Sequence, residues 1–147
     1  MSEPLAPDVQ IRFEVLFEVL FEAATTAMSR AYAPYSHFPV GAAIRSTSGA
    51  VYAGCNVENA AYPQGWCAET SAIAAMVSAG EREIAEVLVV SMSDDLGTCC
   101  GGCRQKLREF APLTTPIYTC GPEGLRRTFT LDELLPLSFG PDNLAGF

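Results

Sequence analysis

Two short cysteine motifs constrain this chain more than any other feature. Cys67-Ala68-Glu69 opens an alanine-rich segment closed by Gly80, and about thirty residues later Cys100-Gly101-Gly102-Cys103 leads into Arg104 to Phe110. Both read as helix starts. One helix covers Ala68 to Ala79, and the other has its body over Arg104 to Phe110, with Cys100 and Cys103 flanking its first turn. Three thiols and a carboxylate at two separate helix starts converge only in a fold that brings those starts together. Strand-helix-strand units do this at one edge of a sheet.

The remaining sequence supplies such a frame. No proline or glycine interrupts Val9 to about Ala31, where Glu14, Glu18 and Glu22 recur between Phe13, Leu16, Phe17, Leu20 and Phe21. That spacing predicts a helix with a narrow acidic stripe. After Ala33-Pro34-Tyr35-Ser36, the segments Val40 to Ile44 and Ala50 to Cys55 read as a hairpin turned at Ser46-Thr47-Ser48-Gly49. Residues 56–66 read as an irregular polar and aromatic loop. Ile84 to Met92 has the β-branched run of a buried strand, and Ser93 to Thr98 reads as a loop. Leu113 to Thr119 and Arg127 to Thr130 read as the last strands, with a turn at Gly121 to Gly124 and a short helix over Leu131 to Leu135. The expected fold is α/β: a three-layer α/β/α sandwich, its mixed sheet of about five strands, in one domain spanning residues 1–147.

Charge and composition narrow the function. A net charge of −8 opposes binding to nucleic acid or acidic membrane surfaces, which requires a basic footprint. Hydrophobic residues at 49% against 18% charged argue for a filled core and for apolar surface shared between subunits. No apolar run reaches the roughly 18 residues of a membrane span, and Met1-Ser2-Glu3-Pro4 lacks the positive charge that opens a secretory signal. A cytoplasmic protein is expected, and six cysteines in that reducing setting are more often free, metal-bound or catalytic than paired.

Three placed thiols suit a catalytic zinc site, which takes three protein ligands and leaves the fourth position for water. Helix N-termini stabilise thiolates through free N–H groups and the positive dipole end. Two other readings use the same residues. A structural zinc module would need a fourth ligand, with Cys99 the obvious candidate, and a dithiol redox protein would use Cys100 and Cys103 alone. The redox reading leaves Cys67-Ala68-Glu69 without a purpose. His37, the single histidine, precedes a strand and lies outside both motifs; Cys55 and Cys120 read as small buried residues.

A His-or-Cys ligand, one intervening residue and a glutamate, followed later by Cys-x-x-Cys, is the pattern of zinc-dependent nucleobase deaminases. Together with Pro34-Tyr35-Ser36-His37-Phe38-Pro39-Val40-Gly41, Gly54-Cys55-Asn56-Val57-Glu58-Asn59-Ala60-Ala61-Tyr62 and Cys100-Gly101-Gly102-Cys103-Arg104-Gln105, it makes the chain resemble the small homotetrameric cytidine deaminases over about Ala31 to Leu144. The run from Asn56 to Tyr62 separates it from blasticidin-type deaminases. Cysteine at the first ligand position, with the acidic charge, separates it from enzymes that act on bases within polynucleotides. Two positions depart from the family pattern: Cys99 stands where a proline is expected, and Thr70 where many relatives carry an arginine that softens the thiolate charge. Arg104 or the helix dipoles are expected to compensate.

The resemblance implies one Zn²⁺ per chain on Cys67, Cys100 and Cys103, with Glu69 as the general acid and base. Taken alone, Glu69 would be an ordinary acidic residue in a helix's first turn. It implies that Asn56 and Glu58 bind the sugar hydroxyls, for which a carboxylate suits a diol, and that Phe38 stacks on the pyrimidine. The Ala68 N–H would bind the 2-oxo group and the Thr98 carbonyl would face the exocyclic amine. It implies further that Phe139 enters a neighbouring subunit's site in trans and that Tyr62 lies at a subunit contact of a homotetramer. The activity implied is hydrolytic deamination of cytidine and 2′-deoxycytidine to the uridines and ammonia, in pyrimidine salvage.

Overall fold

Strand β3 (Ile84–Ser91) is apolar on both faces, and the rest of the fold is arranged around it. In the computed structural model, which describes residues 3–146, it pairs antiparallel with β1 (Val40–Ser46) and parallel with β4 (Pro116–Gly121). Strand β2 (Val51–Cys55) adds antiparallel to β1 and β5 (Gly124–Thr130) antiparallel to β4, giving the order β2-β1-β3-β4-β5. Side chains alternate across a strand, so Val87 and Val89 face one layer while Leu88 and Val90 face the other. Helix α1 (Pro7–Met28) covers the second face, seating Leu20 and Ala24 on Ala43, Leu88, Val90 and Tyr118. Helices α2 (Ala68–Ser78), α3 (Gly101–Phe110) and the short α4 (Leu131–Leu134) cover the first, with Ala72, Ile73, Met76, Leu107 and Leu131 against Ala42, Ile44, Val87 and Ile117. The expected three-layer α/β/α sandwich with a five-stranded mixed sheet is the fold observed.

Several boundaries differ from the sequence reading. The first helix starts at Pro7 rather than Val9, because a proline at the first helical position loses no intrahelical hydrogen bond. It stops at Met28 rather than Ala31, and Tyr32 then turns away to bond the Asn56 carbonyl. The fourth strand is Pro116–Gly121, not Leu113 to Thr119: a turn with Thr115 N–H on the Pro112 carbonyl uses up the earlier residues, and a proline is tolerated at a strand's first position. The last strand begins at Gly124, whose φ of +122° closes a tight hairpin onto Gly121. Residues 56–66 are irregular as expected, apart from a single 3₁₀ turn at Tyr62–Gln64. Met1, Ser2 and Phe147, and with them part of the N-terminal stretch read for a secretory signal, lie outside the described residues. Among the described residues no helix is long and apolar enough to cross a membrane.

Topology places the two cysteine motifs. Strands β2 and β3 are both antiparallel to β1, so they run the same way and end at the same sheet edge. The helix that follows each of them starts at that edge. The close seat of α2 on β2 depends on Gly54: a Cβ there would lie 2.4 Å from the Ser71 Cβ and 2.6 Å from the Ala72 nitrogen. Ser71 then locks the helix to the strand end by donating to the Cys55 carbonyl at 2.8 Å.

Candidate active site

Cys67 and Cys100 occupy equivalent places, each the residue immediately before its helix, with extended backbone. Cys103 follows one turn into α3 and is fully buried. The three Sγ atoms all lie within 4.8 Å of one another, and those of Cys67 and Cys100 are 3.7 Å apart. A tetrahedral zinc with bonds of about 2.3 Å requires its sulfurs about 3.8 Å apart, so the trio fits that ion by donor chemistry and by spacing. Among the described residues it is the one such group. Neither His37 nor Cys99 joins it, which removes the fourth corner that the structural-module reading needed.

The charges explain why a cation belongs there. The Cys67 thiol is lowered to about 6 because the Cys103 and Cys100 thiols hydrogen-bond to it, aided by Lys106 and opposed by burial and the Glu69 charge. The Cys103 thiol is pushed far up by its bond to Cys67, by burial and by Glu69. Thiolates this close repel one another, and a divalent ion among them relieves that repulsion. Cys99 is buried, and burial with the nearby Glu69 carboxylate pushes its thiol well up. Its sulfur is not among the three that lie within 4.8 Å of one another, and Cys99 is the small buried residue expected of it.

The trio opens onto a cleft of about 610 Å³ whose walls include Phe38, Asn56, Glu58, Trp66, Cys67, Glu69, Thr98 and Cys100. Glu69, in the first turn of α2, is only 4% exposed yet lines this cleft. Ala68 opens α2 and is buried; its N–H is among those a helix start leaves without an intrahelical partner. Glu58, also in the cleft wall, is held by one carboxylate oxygen accepting from the N–H groups of Tyr35 (2.9 Å) and Ser36 (3.1 Å). The Ser36 hydroxyl and these amides keep its carboxyl below the usual range, so it is ionised at neutral pH. Asn56 accepts from Val40 N–H and donates to the Phe38 carbonyl, both at 2.9 Å, and so fixes the segment that carries Phe38. Asn56 therefore shapes this loop as well as lining the cleft.

Phe139 is 60% exposed and does not line this cleft; its carbonyl accepts from Gln105 at 2.8 Å. Tyr62 is 74% exposed and meets Tyr35 edge-on, with ring centroids 5.7 Å apart. Arg104 departs from its expected role. Its guanidinium donates to the Cys99 carbonyl, the Leu134 carbonyl and the Thr98 hydroxyl at 2.7, 2.7 and 3.0 Å, bracing the loop ahead of Cys100 rather than the sulfurs. Sequence reasoning missed Ser36 and Trp66. Trp66, whose ring N–H donates to the Ser71 hydroxyl at 2.8 Å, is the chain's only tryptophan and adjoins a ligand, a signal that could have found it.

Comparison with known proteins agrees with this geometry. Residues 17–119 match the family described as the cytidine and deoxycytidylate deaminase zinc-binding region. The chain is 40% identical over 119 residues to the cytidine deaminase of Sporosarcina psychrophila, covering 81% of this chain and 88% of that one. To the enzyme of the same name from Halalkalibacterium halodurans it is 37% identical, over 82% and 92% of the two chains. The crystal structure of cytidine deaminase from Burkholderia pseudomallei superposes with a TM-score of 0.79 at 40% identity, covering 83% of this chain and 98% of that one.

Proposed function

This chain belongs to the cytidine and deoxycytidylate deaminase family, and from that membership we propose that it hydrolyses cytidine and 2′-deoxycytidine to the corresponding uridines and ammonia. The observation that carries the reading is the sulfur trio with a buried carboxylate beside it, both facing one cleft. Cys67, Cys100 and Cys103 would hold one zinc ion. When bound, zinc supplies the Lewis acidity that makes water a nucleophile at neutral pH.

The protein's own residues manage the protons and the substrate's position. Glu69 takes a proton from the water that attacks C4 and delivers it to N3; it then takes the proton of the new C4 hydroxyl and passes it to the departing amine, so that water and cytidine leave as uridine and ammonia. Its buried place in the first turn of α2 keeps it beside the metal ligands without joining them. The Ala68 N–H receives the 2-oxo group, and Thr98, whose hydroxyl is engaged by Arg104, offers its carbonyl to the exocyclic amine. Phe38 forms the stacking wall. Asn56 and the free oxygen of Glu58 receive the sugar hydroxyls.

Glu58→Gln isolates the last of these roles. The amide oxygen retains the bonds from Tyr35 and Ser36 but presents no charged acceptor to the sugar. The KM for cytidine rises about tenfold, as for loss of a charge-assisted hydrogen bond, with kcat nearly unchanged. Steady-state kinetics showing equal KM for both enzymes removes Glu58 from the sugar site.

The assembly is read as a homotetramer of single-domain chains in the cytoplasm, with Phe139 completing a neighbour's site and Tyr62 at a subunit contact. Exposure of these two aromatics, outward-facing Val9, Ile11, Val15 and Val19 on α1, and six unpaired cysteines support it. A single preparation tests the proposal: cytidine absorbance falls, uridine accumulates, elemental analysis gives one zinc per chain and sedimentation gives four chains. Zinc-loaded protein that leaves cytidine unchanged overturns the activity.

A further inference from the structure

We propose that Lys106, acting through the Thr70 hydroxyl, is the positioning cation that balances the charge of the three-thiolate ligand set and thereby sets how tightly the site holds zinc. The inference rests on the metal reading above. Three thiolates and one Zn²⁺ sum to a single negative charge, and the charged side chain closest in sequence to the ligands, Arg104, is engaged by Thr98, Cys99 and Leu134. Lys106 fills the gap. Its Nζ donates to the Thr70 Oγ1 at 3.0 Å, and that oxygen lies 3.8 Å from the Cys103 Sγ. A hydroxyl that accepts from an ammonium keeps its own proton to donate, and the sulfur is the acceptor within reach.

Helix periodicity builds the relay. Thr70 stands three residues after Cys67 on α2, and Lys106 three residues after Cys103 on α3, so each partner shares a helix face with a ligand. The two contacts end to end put the ammonium within about 7 Å of the Cys103 sulfur. At that separation a unit charge changes an equilibrium by about threefold in water-like surroundings and by about fiftyfold in those of a protein surface. Lys106 is exposed, which places the expected effect between these values, at about tenfold. Its direction follows from the charges. Loading converts three thiols into a net anionic cluster and releases their protons, so a nearby cation favours the loaded state at neutral pH.

The test is the zinc dissociation constant at fixed neutral pH, read by competition with a chromophoric chelator, for full-length wild type, Lys106→Met, Lys106→Arg and Thr70→Val. The expected result is about tenfold weaker zinc binding in Lys106→Met, recovery to near the wild-type value in Lys106→Arg, and intermediate loosening in Thr70→Val. Lys106→Met equal to wild type overturns the proposal, as does Lys106→Arg as weak as Lys106→Met, since a purely packing role would not be rescued by charge. Wild-type protein that binds no zinc instead overturns the metal reading itself.

Discussion

Glu69→Gln keeps one zinc per chain and lowers cytidine turnover by about 10²- to 10⁴-fold, the range that general acid–base catalysis supplies. Glutamine has nearly the same shape, so the first turn of α2 and the cleft wall are preserved. What is lost is the ability to accept a proton and release it again. The side chain is 4% exposed, so bulk water has little access with which to take over the transfer at that position. The effect therefore falls on kcat, while metal content, measured by elemental analysis on the same sample, stays at the wild-type level. A purified variant within tenfold of wild-type kcat would show that another group moves the protons. A variant that also lost its zinc would show Glu69 to be a ligand, which its place outside the sulfur trio argues against.

The contrast between Glu69 and Lys106 shows which parts of this site a sequence discloses. Cys67, Glu69, Cys100 and Cys103 were legible because short-range spacing fixed them relative to two helix starts, and a local rule of this kind survives without knowledge of tertiary packing. The sheet was legible for a similar reason: the β-branched, apolar run Val87-Leu88-Val89-Val90 within Ile84 to Met92 puts apolar side chains on both faces, as a strand covered on both sides requires. Lys106 was not legible as a partner of Thr70, because the two lie on different helices, 36 residues apart, and meet only when α2 and α3 pack side by side. Arg104 misled for the same reason. It is adjacent in sequence to Cys103, yet the helix turns its guanidinium toward Thr98, Cys99 and Leu134. The fourth strand was displaced because Pro112 and Thr115 form a turn inside a segment whose residue types suit a strand. Phe139 and Tyr62 illustrate the remaining limit: both are exposed in one chain, and the subunit contacts expected of them involve a surface that a single sequence does not contain.

Cys103→Ala removes both metal and activity while the fold persists. Deleting one of three ligands weakens zinc by at least about a hundredfold, in proportion to the share each ligand has in the binding energy of a thiolate site. Cys103 is fully buried in the core cluster that also holds Ala68 and Leu107, so the lost sulfur also leaves a small cavity worth about 1 kcal/mol. That second effect needs separating from the first. Cys120 provides the comparison, being 1% exposed and packed on the opposite face of the sheet beneath α1. Cys120→Ala opens a cavity of the same kind and lowers stability similarly, measured by chemical denaturation, yet it touches nothing in the cleft and retains zinc and turnover. If the two variants lost zinc equally, the metal would be responding to general loosening and the sulfur trio would not be its seat. If Cys103→Ala instead bound zinc as tightly as wild type, the ion would be held elsewhere, and the placement of Glu69 beside it would lose its meaning.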